Sequence, residues 1–300
     1  MAALSLCFWV AMSHPVWAQA STLGDVICNV VNNAKPFSLV FTWTAYVMGA
    51  VAIITGIYHL RHHTENPQNH PMHRGIMLFA GGAALMIMPS LTGAIVASLY
   101  GTQTAGATLG TCTAGSGGGS GAGLDGMMTN FVANIKGPIL LLTSAAAMLS
   151  GLYMVIHGLH KASKYGFDPK THSVHSILTN ILFGCLLLTI GGNLNMMLSS
   201  VFGSTTVSDS STLNWSFLSS LAGGSSTQFQ NAVTAGLTFI QIIGAIAFVR
   251  GWLILKKVVE GGGNATMAQG LTHILGGVCA INIFSFLKAM DATFGTGMLS

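Results

Sequence analysis

Residues 151–184 read GLYMVIHGLHKASKYGFDPKTHSVHSILTNILFG: Gly151 and Gly158 lie seven residues apart, a polar basic loop follows, and Gly184 comes 26 residues after Gly158. The same spacing occurs 102 residues earlier as Gly49, Gly56 and Gly82, and 93 residues later as Gly244, Gly251 and Gly277. No gap is needed inside the unit. Seven-residue spacing puts two glycines on one side of a helix, two turns apart. Their missing side chains let another backbone approach closely. Glycine is frequent here, 38 of 300 residues, but three registers agreeing at three positions is poorly explained by chance. The pattern predicts one helical hairpin written three times, with these nine glycines at its helix-packing faces. Small-residue stripes at 80–84 and 276–280 support it.

Composition says where such hairpins sit. Only 6% of residues are charged against 51% hydrophobic, and the mean hydropathy is +0.65. A water-facing surface needs about a quarter of its residues charged, so the apolar surplus faces lipid. A net charge of +4 over 300 residues leaves no basic patch, and no direct nucleic-acid binding is expected. Apolar runs of spanning length cover Pro36–Tyr58, Ile76–Leu99, Pro138–Gly158, Ile177–Phe202, Val233–Leu255 and Leu271–Leu287. The expected fold is an all-α integral membrane helix bundle, six transmembrane helices arranged as three tandem hairpins in parallel repeat.

Orientation follows the basic residues. The three hairpin loops carry Arg61 and Arg74, then Lys161, Lys164 and Lys170, then Lys256 and Lys257 with Arg250 nearby; the other connections hold Lys35, Lys136 and Lys288. Eight against three puts the hairpin loops in the cytoplasm, and both termini and the long connections outside. The amino end agrees: an apolar run from Ala2 to Met12 precedes Ala18-Gln19-Ala20, a small-x-small cleavage site. Its n-region lacks Lys and Arg, so an uncleaved anchor is the alternative. The expected divisions are a signal peptide (1–20), hairpin 1 (21–100), a Gly/Ser-rich periplasmic linker (101–126), hairpin 2 (127–203), a Ser/Thr-rich periplasmic linker (204–231) and hairpin 3 (232–300). Cys28 and Cys112 fall in polar, outward stretches. A disulfide is chemically open to them, and so is the alternative of two unpaired small residues.

Histidine offers the main chemical candidate. His59 and His62, His70 and His73, His157 and His160, and His172 and His175 share an i,i+3 spacing suited to one metal. No cysteine or paired carboxylate accompanies them, and histidine at a helix C-terminus or in the headgroup layer is electrostatically well placed without a ligand. That interfacial reading leads, and a metal or proton role is the alternative. Asn180, Asn193, Asn195, Gln241, His273 and Asn282 are read as interhelical hydrogen-bonding groups ahead of a polar path, because no span carries Asp or Glu. No phosphate-binding loop, nucleophile elbow or zinc-protease motif occurs. Neither enzymatic activity nor a cofactor is expected.

Each hairpin has an exported amino end, a glycine-notched pair of spans and a basic loop. This resembles the two-helix pilin subunits of type IV secretion, which insert in the inner membrane with both ends periplasmic. The run 267–283, MAQGLTHILGGVCAINI, is similar to the small hydrophobic inner-membrane proteins of Dot/Icm (type IVB) secretion and IncI-type conjugation, through Gln269, Gly270, His273, Gly276, Gly277 and Asn282. The resemblance implies a structural subunit in the bacterial inner membrane. Its partners would be membrane lipid, other subunits of a secretion or conjugation complex, and other copies of itself. A multi-pass transporter or channel with histidine-rich cytoplasmic loops is the alternative function.

Overall fold

The computed structural model describes residues 22–65, 71–100, 112–115, 123–165, 173–213 and 226–297. Among these the secondary structure is entirely helical. Hairpin 1 comprises α1 (Leu23–Glu65), α2 (Met72–Met86) and α3 (Met88–Tyr100). Hairpin 2 comprises α4 (Leu124–Tyr165), α5 (Val174–Leu188) and α6 (Ile190–Phe202). Hairpin 3 comprises α7 (Ser226–Val259), α8 (Met267–Ile281) and α9 (Ile283–Phe294). A 3-10 turn at Ser210–Thr212 lies between hairpins 2 and 3.

Each hairpin thus has one long helix and one bent pair. The long helices have 43, 42 and 34 residues, so at 1.5 Å per residue they run for about 64, 63 and 51 Å. All three are apolar enough to cross a membrane, and their length exceeds the ~30 Å hydrocarbon core. Pro36 and Pro138, 102 residues apart, lie inside α1 and α4 without ending them.

The second arm of each hairpin, expected as one transmembrane helix, is instead two helices set at a steep angle. α2 meets α3 at 82°, α5 meets α6 at 78°, and α8 meets α9 at 90°. Six spans result where each bent pair counts as one. The bends sit at Ile87, Thr189 and Asn282, which follow the glycine register of 102 and 93 residues. Their dihedrals agree as well: φ is −100°, −108° and −107°, with ψ of 18°, 35° and 42°. One backbone break has therefore been built from three local sequences. In hairpin 1 Pro89 cannot donate to the preceding turn. In hairpin 2 Gly191 and Gly192 follow the break, and in hairpin 3 the break residue is an asparagine, whose short polar side chain competes with helical hydrogen bonding.

Local signals set the other ends. Ser173 caps α5 by accepting from the Ser176 amide. Thr266 and Gln269 cap α8 reciprocally in a capping box. Gly203 and Gly295 end α6 and α9 at φ of 69° and 66°, a left-handed turn that only glycine adopts without strain.

The hairpins are laid side by side in chain order. α1 and α2 both pack on α4, and α4 and α5 both pack on α7, so hairpin 2 lies between the other two. One core joins Ala45, Leu85 and Met88 of hairpin 1 to Leu152, Val155, Ile156 and Leu159 of hairpin 2. Two more join hairpins 2 and 3, around Phe183, Leu198, Phe248 and Val278, and around Ala147, Met154 and Leu187. Outward faces are apolar: Leu39, Trp43 and Ile54 of α1 are 61%, 57% and 67% exposed. Side chains of this kind need lipid or protein against them.

Candidate functional site: the notched helix faces

Six of the nine glycines meet in pairs inside their own hairpins, and the other three face the opposite helix of the same hairpin. A side chain at Gly49 would begin 2.8 Å from the Gly82 carbonyl oxygen, and one at Gly82 would begin 2.7 Å from that of Gly49. Gly151 and Gly184 repeat the reciprocal contact at 2.7 and 2.8 Å. In hairpin 3, Gly277 faces the Gly244 carbonyl at 2.9 Å, while Gly244 faces Ala280 Cβ and the Ile281 amide at 2.7 and 2.8 Å. The second glycine of each unit lies against register-equivalent residues. Gly56 meets the Phe79 amide at 2.9 Å, Gly158 meets the Ile181 side chain at 2.9 Å, and Gly251 meets the Ile274 amide at 2.9 Å. Main chains thus lie directly against one another, the arrangement that holds helices together where lipid removes any hydrophobic gain from association.

A further glycine pair escaped the sequence reading. Gly75 is filled by Leu60, 2.6 Å from where its side chain would begin, and Gly270 is filled by Leu255 at 2.5 Å. The equivalent positions in hairpin 2 carry Ala162 and Ile177, with the large residue moved to the other helix. The signal was present in the sequence as the same 102- and 93-residue offsets. It was obscured because the swap leaves no glycine in the middle copy.

Between hairpins the contacts are mixed. Gly81 of α2 admits the backbone of Ser163 in α4, 2.7 Å from the missing side chain. At the equivalent place between hairpins 2 and 3, Phe183 packs edge-on to Trp252 with centroids 6.4 Å apart. Asn180 donates to Glu260 Oε1 at 2.8 Å, and Lys256 donates to Glu260 Oε2 at 2.8 Å. His175 Nε2 lies 2.8 Å from the Val259 carbonyl oxygen. The Asn180 and His175 bonds tie the loop end of hairpin 2 to that of hairpin 3, and Lys256 holds Glu260 in place from within hairpin 3.

At the level of the bends a polar node closes the other end. Gln241 Nε2 donates to the carbonyls of Ser208 and Ile281, both at 3.0 Å, and Gln241 Oε1 accepts from Lys136 Nζ at 3.0 Å. Asn282 Oδ1 accepts from the Ser208 amide at 2.8 Å and from the Ser208 hydroxyl, which in turn accepts from the Ser285 amide at 3.1 Å. Gln241, Ser208 and Asn282 are buried, so these partners replace lost water. The node borders a cavity of about 470 Å³ that also touches Leu194 and Phe248. Part of the Ser/Thr-rich connection is therefore fixed on hairpin 3, which its composition does not reveal.

The far ends of α1 and α4 are clamped. Cys28 and Cys112 form a disulfide with a Cα–Cα separation of 5.2 Å. Beside it, Asn134 accepts from the Gly24 amide at 2.8 Å and donates to the Gly115 carbonyl at 2.9 Å.

The histidines separate into local partners. His62 Nδ1 is 3.2 Å from Glu65 Oε2, and its ring lies edge-on to Tyr58 at 4.3 Å. His59 also contacts Tyr58, and His157 stacks on Tyr153 at 5.7 Å. His59 and His160 line one groove of about 610 Å³ between α1, α2 and α4. His73 lies in the first turn of α2, while His70, His172 and residues 1–20, where a signal peptide is expected, fall outside the described residues. Among the described residues no three of His, Cys, Asp and Glu are grouped so as to hold a metal ion.

The chain matches no protein-family model, no curated protein and no solved structure.

Proposed function

We propose that this protein is a structural, non-enzymatic inner-membrane subunit of a type IV secretion system, of the type IVB or conjugative kind, acting through helix packing and assembly. In this reading both termini and the long connections are periplasmic, the basic loops are cytoplasmic, and the partners are lipid, other membrane subunits and further copies. The observation that carries it is the threefold recurrence of a backbone-to-backbone glycine contact at one register. Such faces hold helices together and do no covalent chemistry. The likeness of residues 267–283 to Dot/Icm and conjugation membrane proteins supplies the kind of machine.

The test is genetic and biochemical. Deleting the reading frame in its own host should abolish conjugative transfer or protein export, and the wild-type gene should restore it. The Gly151→Leu, Gly158→Leu double variant, inserted in the membrane, should not. Affinity purification should bring down membrane subunits of the transfer machine. Undiminished transfer and export in the deletion strain would refute the assignment.

A further inference from the structure

The chain contains one docking relation twice and the two unmatched halves of a third. In the first instance α1 and α2 receive α4, and the bent arm α3 reaches α5; in the second α4 and α5 receive α7, and the bent arm α6 reaches α8. Hairpin 3 is built to the same register, and among the described residues nothing occupies its corresponding face. Likewise, no described residue packs on the face of hairpin 1 that corresponds to the one α4 turns to hairpin 1.

Burial at equivalent positions shows both open halves. On the face that α4 turns to hairpin 1, Ile156, Leu159 and Ser163 are 7%, 3% and 2% exposed. Their counterparts in α7, Val249, Trp252 and Lys256, are half-buried against hairpin 2. In α1 the same positions are Ile54 and Ile57, 67% and 53% exposed, and exposed Arg61. On the receiving side, Ala45 and Leu85 of hairpin 1 and Ala147 and Leu187 of hairpin 2 are each 0% exposed. The equivalent Ile240 of hairpin 3 is 39% exposed. Gly81, whose gap the Ser163 backbone fills, corresponds to Gly276, around which there is nothing within 4 Å. A glycine in mid-helix is disfavoured by about 1 kcal/mol against alanine. Gly81 offsets this by close packing, and Gly276 has the same notch without its occupant.

We propose that hairpin 3 of one copy receives α1 of a second copy, as hairpin 1 receives α4 and hairpin 2 receives α7, so that the protein associates head to tail. The occupant is a second copy because its α1 carries the face that the register demands, and because the docking continues an interface already made twice. This rests on the assembly reading above, and it makes the contact heterologous: the two copies use different surfaces, so the association extends or closes as a ring.

The test uses the full chain in native membranes of a host without any transfer system, so its outcome is independent of the transfer assay. A photo-crosslinking p-benzoylphenylalanine replaces Ile57, and a second, differently tagged copy is co-expressed. Crosslinks should join residue 57 to α7 or α8 of the tagged copy, and Gly276→Leu in that copy should reduce them about tenfold or more, since close packing carries association in lipid. The reciprocal probe at Ile240 should capture α1 and lose it when Ile54 and Ile57 of the second copy are changed to alanine. This second arm holds if Gly276→Leu fails to accumulate. Capture of α1 by the probe at Ile57, capture of lipid alone, or capture unaffected in both variants would overturn the proposal.

Discussion

Gly151→Ala adds one methyl group at a main-chain contact, and its size can be worked from the structure. The new Cβ would lie 2.7 Å from the Gly184 carbonyl oxygen, 2.8 Å from the Leu188 amide nitrogen and 3.0 Å from Leu187 Cβ. The first two atoms are backbone and cannot rotate away. Reaching an ordinary contact requires α4 and α5 to part by roughly 0.5–1 Å, enough to forfeit a quarter to a half of the dispersion attraction along the seam. Overpacking of this kind costs about 1–3 kcal/mol, while helix propensity returns about 1 kcal/mol. The net expectation is a loss of up to about 2 kcal/mol. Gly236→Ala in α7 is the control: nothing lies within 4 Å of its missing side chain, so the same chemical change should stabilise by up to about 1 kcal/mol. Equilibrium unfolding of the purified protein in mixed micelles measures both. Equal shifts in the two variants, or a Gly151→Ala protein more stable than the parent, would refute the packing argument.

The Leu60 and Gly75 pair gives a sharper test of the repeat: Gly75→Ile alone should destabilise by about 1–3 kcal/mol, whereas adding Leu60→Ala, which reproduces the Ala162 and Ile177 arrangement of hairpin 2, should recover most of the loss. Double-mutant unfolding reads the coupling, and additivity of the two changes contradicts the shared register. Cys28→Ser opens a covalent loop with a sequence separation of 84 residues, and a fall in stability of about 4.5 kcal/mol is expected from the released chain entropy. Thermal unfolding with and without reductant should reproduce that fall in the parent and show none in the variant. Gln241→Leu removes the bonds to Lys136, Ser208 and Ile281 at the bends. It should cost about 1–3 kcal/mol and speed proteolysis within 203–213; unchanged cleavage there would separate that segment's order from the node.

The apolar runs and the nine glycines were legible because both depend on sequence spacing alone: an apolar run long enough for lipid must be a helix, and a register repeated without gaps must fold the same way each time. The bends were not, because Pro89, the Gly191-Gly192 pair and Asn282 are three unlike signals, and a turn of the chain axis leaves the hydropathy of a run unchanged. Nor could the sequence supply Ser208 as the shared partner of Gln241 and Asn282, because it comes from a connection whose composition marks it only as polar. Gly81 and Gly276 occupy one register and look alike on paper, yet one is filled by the next hairpin and the other stands open. That difference depends on which neighbour is present, and only the tertiary structure decides it.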